Sequence, residues 1–203
     1  MPKIVVVDYG VGNLRSIQKA LEQVQADAVT SKNADFIAKA DALVLPGVGA
    51  FRDAIANIAP IKSIIYEQIR QQKPLLGICL GLQLLFTQST EGGLFSGLDI
   101  FHGQVIRFPE SNKVPHMGWN TVKLVDATNA LVDGLPDEQY MYFANSYYAD
   151  VDETNHVVAV TEYGVDFPSI VAKQSVFATQ FHPEKSGKAG LTILQNFVNY
   201  VRR

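Results

Sequence analysis

The first eighty residues repeat one pattern, in which a short apolar run leads into a stretch whose apolar residues recur at helical spacing. "KIVVVD" reads as a buried strand and "ADALVLPG" as another. Between them, "NLRSIQKALEQV" puts Leu14, Ile17, Leu21 and Val24 on one helical face, with Arg15, Lys19 and Glu22 on the other. "IKSIIYEQIRQQ" repeats the device with Ile61, Ile64, Ile65 and Ile69; Pro74 stops that helix, and "LLGIC" follows as the next strand. Strands joined by crossover helices build a parallel sheet flanked by helices, so an α/β fold is expected.

The second half differs in texture. "GQVIRF", "GWNTVKLV", "YMYFANSYYAD", "HVVAVTEY" and "SVFATQF" are β-rich with turn residues between them, and "AGLTILQNFVNYVRR" is a closing amphipathic helix. Antiparallel strands or hairpins are expected there. With 47% hydrophobic residues in 203, the chain can bury a full core, and with no linker or repeat the whole of 1–203 is expected to form a single domain.

Charge and cysteine usage narrow the function classes. The net charge of −3, with no basic cluster beyond Arg202 and Arg203, gives no electrostatic reason to expect nucleic acid or an anionic membrane as partner. The single cysteine fits a reducing compartment. "MPKIVVVDYG" reaches an aspartate too soon for a signal peptide, and the longest nearly apolar run, Leu75 to Phe86, falls well short of the roughly 20 residues that span a bilayer. A cytoplasmic location is expected.

That cysteine, Cys79, has two readings. Free cysteines are among the most buried residue types, and one in an apolar run is ordinarily packing. Yet Gly77-Ile78-Cys79-Leu80-Gly81 has the small-x-nucleophile-x-small form of an elbow between a strand, "PLLGI", and a helix, "LGLQLLFTQS". There, helix dipole and free amides favour the thiolate, which matters because a thiol of ordinary pKa, about 8.5, is only a few per cent ionised at neutral pH.

His182 also has two. In "QFHPEKSG" it precedes a proline, so an extended backbone would put His182 and Glu184 on one side, the carboxylate orienting Nδ1–H and leaving Nε2 free to act on a thiol. Alternatively His182 merely closes the sheet and Glu184 is solvated. Their joint occurrence with the elbow favours a Cys79–His182–Glu184 triad. Of the other histidines, His156, in "DETNH", reads as exposed, and no pair of histidines or carboxylates has metal-ligand spacing, so no metal is expected. "LVLPGVGAF" ends a strand with Gly47 and Gly49 around Val48, a loop suited to supplying one oxyanion donor, the Val48 amide, beside that of Leu80. An ordinary strand-to-helix turn needing glycine is the other reading.

With elbow, loop and H-P-E in this order, the chain resembles the class I (triad) glutamine amidotransferases, from "DYGVGN" to "HPEKS". "PGVGAF", "GICLGLQLLF", "VPHMGWN" and "HPEKS" together are similar to the glutaminase subunits of imidazole glycerol phosphate synthases. The resemblance implies a flavodoxin-like amidotransferase fold, no cofactor, glutamine hydrolysis through a thioester on Cys79, and a heterodimer with a (β/α)8-barrel cyclase subunit that takes the ammonia for histidine biosynthesis. It also implies that His182 and Glu184 complete the triad, that the Val48 and Leu80 amides form the oxyanion hole, and that Gly47, Gly49, Gln83, Glu91, Asn145, Ser146 and Tyr147 bind glutamine. Asn13, Trp119, Tyr142 and Lys185 would face the partner. Asn145 replaces a usual histidine and Asp99 a common glycine. The alternatives are a glutaminase subunit of a pyridoxal phosphate or anthranilate synthase, a cysteine peptidase on a similar fold, and a non-catalytic flavodoxin-like regulatory module.

Overall fold

A computed structural model describes residues 2–203. Four parallel strands, β1 (Lys3–Val7), β2 (Asp27–Ser31), β3 (Ala42–Leu45) and β4 (Leu75–Ile78), are joined by α1 (Leu14–Gln23), α2 (Ala34–Ala38), α3 (Phe51–Ile58) and α4 (Lys62–Arg70). Along β1, Ile4 and Val6 enter one apolar cluster while Val5 and Val7 enter another, so the strand is buried on both faces and needs an unbroken apolar run. Ile17 and Leu21 of α1 belong to the first cluster, Ile37, Phe51 and Ile65 to the second. The helices therefore cover opposite faces of the sheet.

After α5 (Leu80–Leu84) come β5 (Phe86–Ser89), β6 (Phe95–Ser96), β7 (Phe101–Arg107), β8 (His116–Leu124), β9 (Glu138–Asn145), β10 (Tyr147–Val151), β11 (Val157–Glu162), β12 (Asp166–Lys173), β13 (Val176–Thr179) and α6 (Gly187–Val201). The large sheet has the order β2-β1-β3-β4-β13-β12-β11-β8-β9, and β10-β7-β5-β6 form a second, smaller sheet. The β13 strand was expected among antiparallel partners, and on one side it is, against β12; on its other side it pairs in parallel with β4. That pairing joins the two halves of the chain and ends both strands at the same edge, with Ile78 opposite Thr179.

Two further expectations are corrected. The helix expected over "LGLQLLFTQS" stops at Leu84, and Phe86–Ser89 is a strand. The Leu85 carbonyl accepts from the amides of Ile100 and Phe101, and Gly97 lies so close to the Phe86 carbonyl that a Cβ there would sit 2.1 Å from it. These tertiary contacts override the helical pattern. His156 is mostly buried, its Nε2 2.9 Å from Glu153 and its ring edge-on to Phe101. Asp99, where a glycine was the more common residue, does adopt a left-handed φ of 54°, with its carboxylate accepting from Thr87 Oγ1 at 2.6 Å.

Candidate active site

Cys79 follows β4 directly, with φ 54° and ψ −106°, a conformation that L-residues avoid unless their surroundings impose it. The surroundings here are backbone. A Cβ at Gly77 would meet the Gly81 carbonyl at 2.8 Å, and one at Gly81 would lie 1.8 Å from the Leu45 carbonyl. Both glycines are therefore sterically required, as the elbow reading expects. Cys79 N–H donates to the Thr179 carbonyl at 2.7 Å, which fixes the turn against β13.

The same edge of the sheet delivers His182. Phe181 is fully buried, edge-on to Phe143 at 5.8 Å, and the His182 amide donates to the Tyr142 carbonyl at 2.9 Å. Pro183–Lys185 form a turn of 3-10 helix rather than the extended segment expected, because Pro183 pre-sets a helical φ at its first position. The turn still brings Glu184 Oε1 to 2.9 Å from His182 Nδ1, with both side chains buried. His182 Nε2 and Glu184 Oε2 have no hydrogen-bond partner. Burial alone would lower the pKa of His182, but the adjoining Cys79 and the Glu184 carboxylate together outweigh it and raise the value to about 10. The protonated ring of His182 is the state this arrangement favours.

Cys79 opens onto a cavity of about 160 Å3, walled by Val48, Gly49, Leu80, Gln83, Glu91, Asn145, Ser146 and Tyr147. All of these were singled out in the sequence; Pro115 and Ala144, which also line it, were not. Gly47 does not line it. That residue lies behind, pressed between Leu80 and the Tyr9 hydroxyl, where a Cβ would be 2.6 Å and 2.9 Å from them. Leu80 N–H, one of the two expected oxyanion donors, is directed to the Gly47 carbonyl at 3.4 Å. Val48 stands exposed at the cavity mouth.

Several polar groups in the wall have defined roles. Glu91 Oε2 accepts from the Phe51 amide at 2.9 Å, capping α3 where the glycine loop ends. Asn145 Nδ2 donates to the Tyr147 carbonyl at 3.0 Å, leaving Asn145 Oδ1 buried and without a donor. Tyr9, which the sequence gave no reason to single out, donates its buried hydroxyl to the Pro46 carbonyl, where the loop begins. Burial, with the negative charge of Cys79 adding to it, raises the Tyr9 pKa far enough to keep that hydroxyl a donor.

Residues 5–200 match the family model described as Glutamine amidotransferase class-I. The chain belongs to the class-I glutamine amidotransferase family. Its amidotransferase relatives include the proteins named imidazole glycerol phosphate synthase subunit HisH of Methanosarcina acetivorans, 50% identical over 98% of each chain, and of Methanocaldococcus jannaschii, 49% identical over 96% of this chain and 98% of that one. The subunit HisH of Caldanaerobacter subterraneus subsp. tengcongensis is 48% identical over 98% of each. Among solved structures, one described as glutamine amidotransferase superposes with a TM-score of 0.77 at 18% identity, covering 98% of this chain and 99% of that one. PurLQS from Thermotoga maritima superposes with 0.74 at 20% identity, over 98% of each. These likenesses show the amidotransferase fold over 98% of the chain.

Three of the residues expected at a partner surface also gather at one place. Trp119, 57% exposed, stands edge-on to Tyr142 with ring centroids 6.2 Å apart, and Lys185 Nζ lies 5.7 Å from the Tyr142 ring. Asn13 precedes α1, which packs against the 183–185 turn. No helix of the described residues is long and apolar enough to cross a membrane.

Proposed function

We propose that this chain is the glutaminase subunit of an imidazole glycerol phosphate synthase, hydrolysing glutamine and passing ammonia to a cyclase barrel. One observation carries the chemistry. Cys79, held at φ 54° between two sterically required glycines, shares the end of two parallel strands with a buried His182–Glu184 pair and opens onto a small polar cavity.

In this reading His182 holds the proton at Nε2 while Cys79 Sγ attacks the side-chain carboxamide carbon of glutamine, forming a tetrahedral oxyanion. His182 then gives that proton to the departing ammonia, leaving a γ-glutamyl thioester on Cys79. Water activated by the neutral imidazole hydrolyses the thioester to glutamate. Glu184 orients the ring throughout. The α-ammonium group of the substrate suits the Glu91 carboxylate, and its donors suit the free Asn145 Oδ1. The oxyanion would be held by the Val48 and Leu80 amides, so Gly47 must give up the Leu80 N–H before the hole is complete.

The relatives' names favour the histidine-pathway synthase over other ammonia-consuming enzymes, and the Trp119–Tyr142–Lys185 cluster, with Trp119 exposed, is the surface assigned here to a barrel partner. A partner makes chemical sense because ammonia released into water becomes ammonium, which is not a nucleophile. The test is glutamate release by the purified chain alone and with a cyclase barrel carrying its ribonucleotide. Strong stimulation by the liganded barrel, abolished by Cys79→Ala with the complex still forming, is expected. Appreciable hydrolysis by that variant would sink the nucleophile assignment, and an active chain indifferent to the barrel would point to a different synthase.

A further inference from the structure

Gln180 has no part in the triad, yet its side chain points at the nucleophile. Cys79 is one residue beyond Ile78 and Gln180 one residue beyond Thr179, and Ile78 and Thr179 are register partners, so the parallel pairing sets the two side by side. Gln180 is fully buried, and its Nε2 lies 3.7 Å from Cys79 Sγ, within hydrogen-bonding reach of so large an acceptor.

Which end of the amide faces sulfur follows from a chain of bonds that starts at a group with one possible role. The Tyr147 main-chain carbonyl can only accept, so the group of Gln83 that lies 2.9 Å from it must be the NH2. That NH2 also lies 3.2 Å from the Gln180 side chain, which must therefore present its oxygen, Oε1. The remaining end of Gln180, its NH2, is then the end toward Sγ. Both amides are buried; flipping Gln83 would set oxygen against the Tyr147 carbonyl and against Gln180 Oε1, and flipping Gln180 would set one NH2 against another.

We propose that Gln180 is a catalytic residue of this amidotransferase, its side-chain N–H stabilising the Cys79 thiolate as a second donor beside the His182 imidazolium. The neutral thiol gains little from such a donor, whereas the thiolate gains a charge-assisted bond in a largely buried site. Gln83, which lines the substrate cavity, holds Gln180 in this orientation and so ties the cavity wall to the nucleophile. The other titratable groups around Sγ act in different ways. His182, backed by Glu184, holds the proton; Tyr9 stays a neutral phenol occupied with Pro46; and Glu91 lies across the cavity, occupied with the Phe51 amide.

The proposal rests on the nucleophile assignment of Cys79 made above, and the test separates the two. Alkylation of Cys79 by iodoacetamide, a neutral reagent, is followed at neutral and at alkaline pH in the full-length chain. Gln180→Met keeps the volume and removes the donor. Labelling is expected to slow about tenfold at neutral pH, where the thiolate must be stabilised, and to stay within about twofold in alkaline solution, where the thiol ionises without help. Gln180→Glu keeps the shape and the acceptor for Gln83 while setting a carboxylate against sulfur, and it should slow neutral labelling further. It also serves if the methionine variant does not fold. Equal slowing at both pH values, or none at either, overturns the role of Gln180. A wild-type Cys79 that resists labelling throughout overturns the nucleophile assignment itself, and the proposal with it.

Discussion

The Cys79 amide donates to the Thr179 carbonyl at 2.7 Å, closing the ladder between β4 and β13 at the point where both strands end. Cys79 and His182, the proposed nucleophile and base, stand 103 positions apart in sequence (182 − 79 = 103) and thereby leave the sheet at one edge. In an open α/β sheet that carboxyl edge is where reacting groups collect.

The raised pKa of His182 gives a first prediction. Burial lowers it, but the Cys79 and Glu184 charges raise it further, to a net value of about 10, so the ring should remain protonated through the neutral range in the resting protein. A folded-state pKa above the unfolded value of about 6.5 gives stability that is complete below the unfolded pKa and is lost as pH rises through the folded one. Imidazole NMR signals of His182 that do not titrate between about pH 6 and about pH 8 would agree with this. In Cys79→Ala the midpoint should move down, and an unchanged midpoint would show that the thiolate is not a partner of the ring.

Removing the Tyr9 hydroxyl tests the anchoring of the glycine loop. Tyr9→Phe leaves the Pro46 carbonyl without its donor, which should cost about 1–2 kcal/mol in denaturant unfolding. Because the loop that carries the Val48 amide should be loosened while Glu91 and Asn145 across the cavity stay in place, kcat for glutamine should fall with KM little changed. A rise in KM alone would place Tyr9 in substrate binding instead.

Glu91 holds the start of α3 and is the proposed partner of the substrate's α-ammonium group, and the two roles can be separated. Glu91→Gln retains an oxygen for the Phe51 amide, so thermal stability should hold within about 1 kcal/mol. Losing the carboxylate should raise KM for glutamine about tenfold or more, by removing a charge-assisted contact to the α-ammonium group. Steady-state kinetics beside a melting curve would decide, and a variant that melts early with normal KM would reduce Glu91 to a helix cap.

Trp119 lies on the surface and packs only partly on its neighbours, so Trp119→Ala should leave folding and Cys79 alkylation nearly intact. Its truncation at a partner interface should weaken the complex by about 2 kcal/mol, roughly thirtyfold in Kd. Calorimetric titration with a cyclase barrel measures this, and an unchanged Kd would remove Trp119 from the interface.

How much of this was legible in the sequence depends on the distance over which each feature is determined. The β1 run and the apolar face of α1 are local patterns, and both elements form where those patterns lie. The elbow too is local, because Gly77 and Gly81 flank Cys79 directly. The helix expected through Ser89 failed because Phe86 answers to Phe101 and Gly97 rather than to its own neighbours. β12, "DFPSIVAK", carries a proline and went unread, although it lies in the middle of the large sheet. Gln180 and Tyr9 escaped for the same reason: each acts on an atom far away in sequence, Cys79 Sγ and the Pro46 carbonyl, and only strand register brings them together. A lone polar residue at the end of the apolar "SVFAT" was the one available clue to Gln180.

The contact between Gly81 and Leu45 bears on how finely this centre is set. Main chain there rests on main chain, and no rotamer can take up slack between them. Since Leu45 ends β3 immediately before Pro46, the spacing between the nucleophile turn and the glycine loop is gauged by rigid peptide units rather than by adjustable side chains. Trimming a leucine in the surrounding core would then make the protein easier to melt while leaving the alignment of its working parts nearly true. A single methyl group at position 81 would throw that alignment out, however well the rest of the chain was packed.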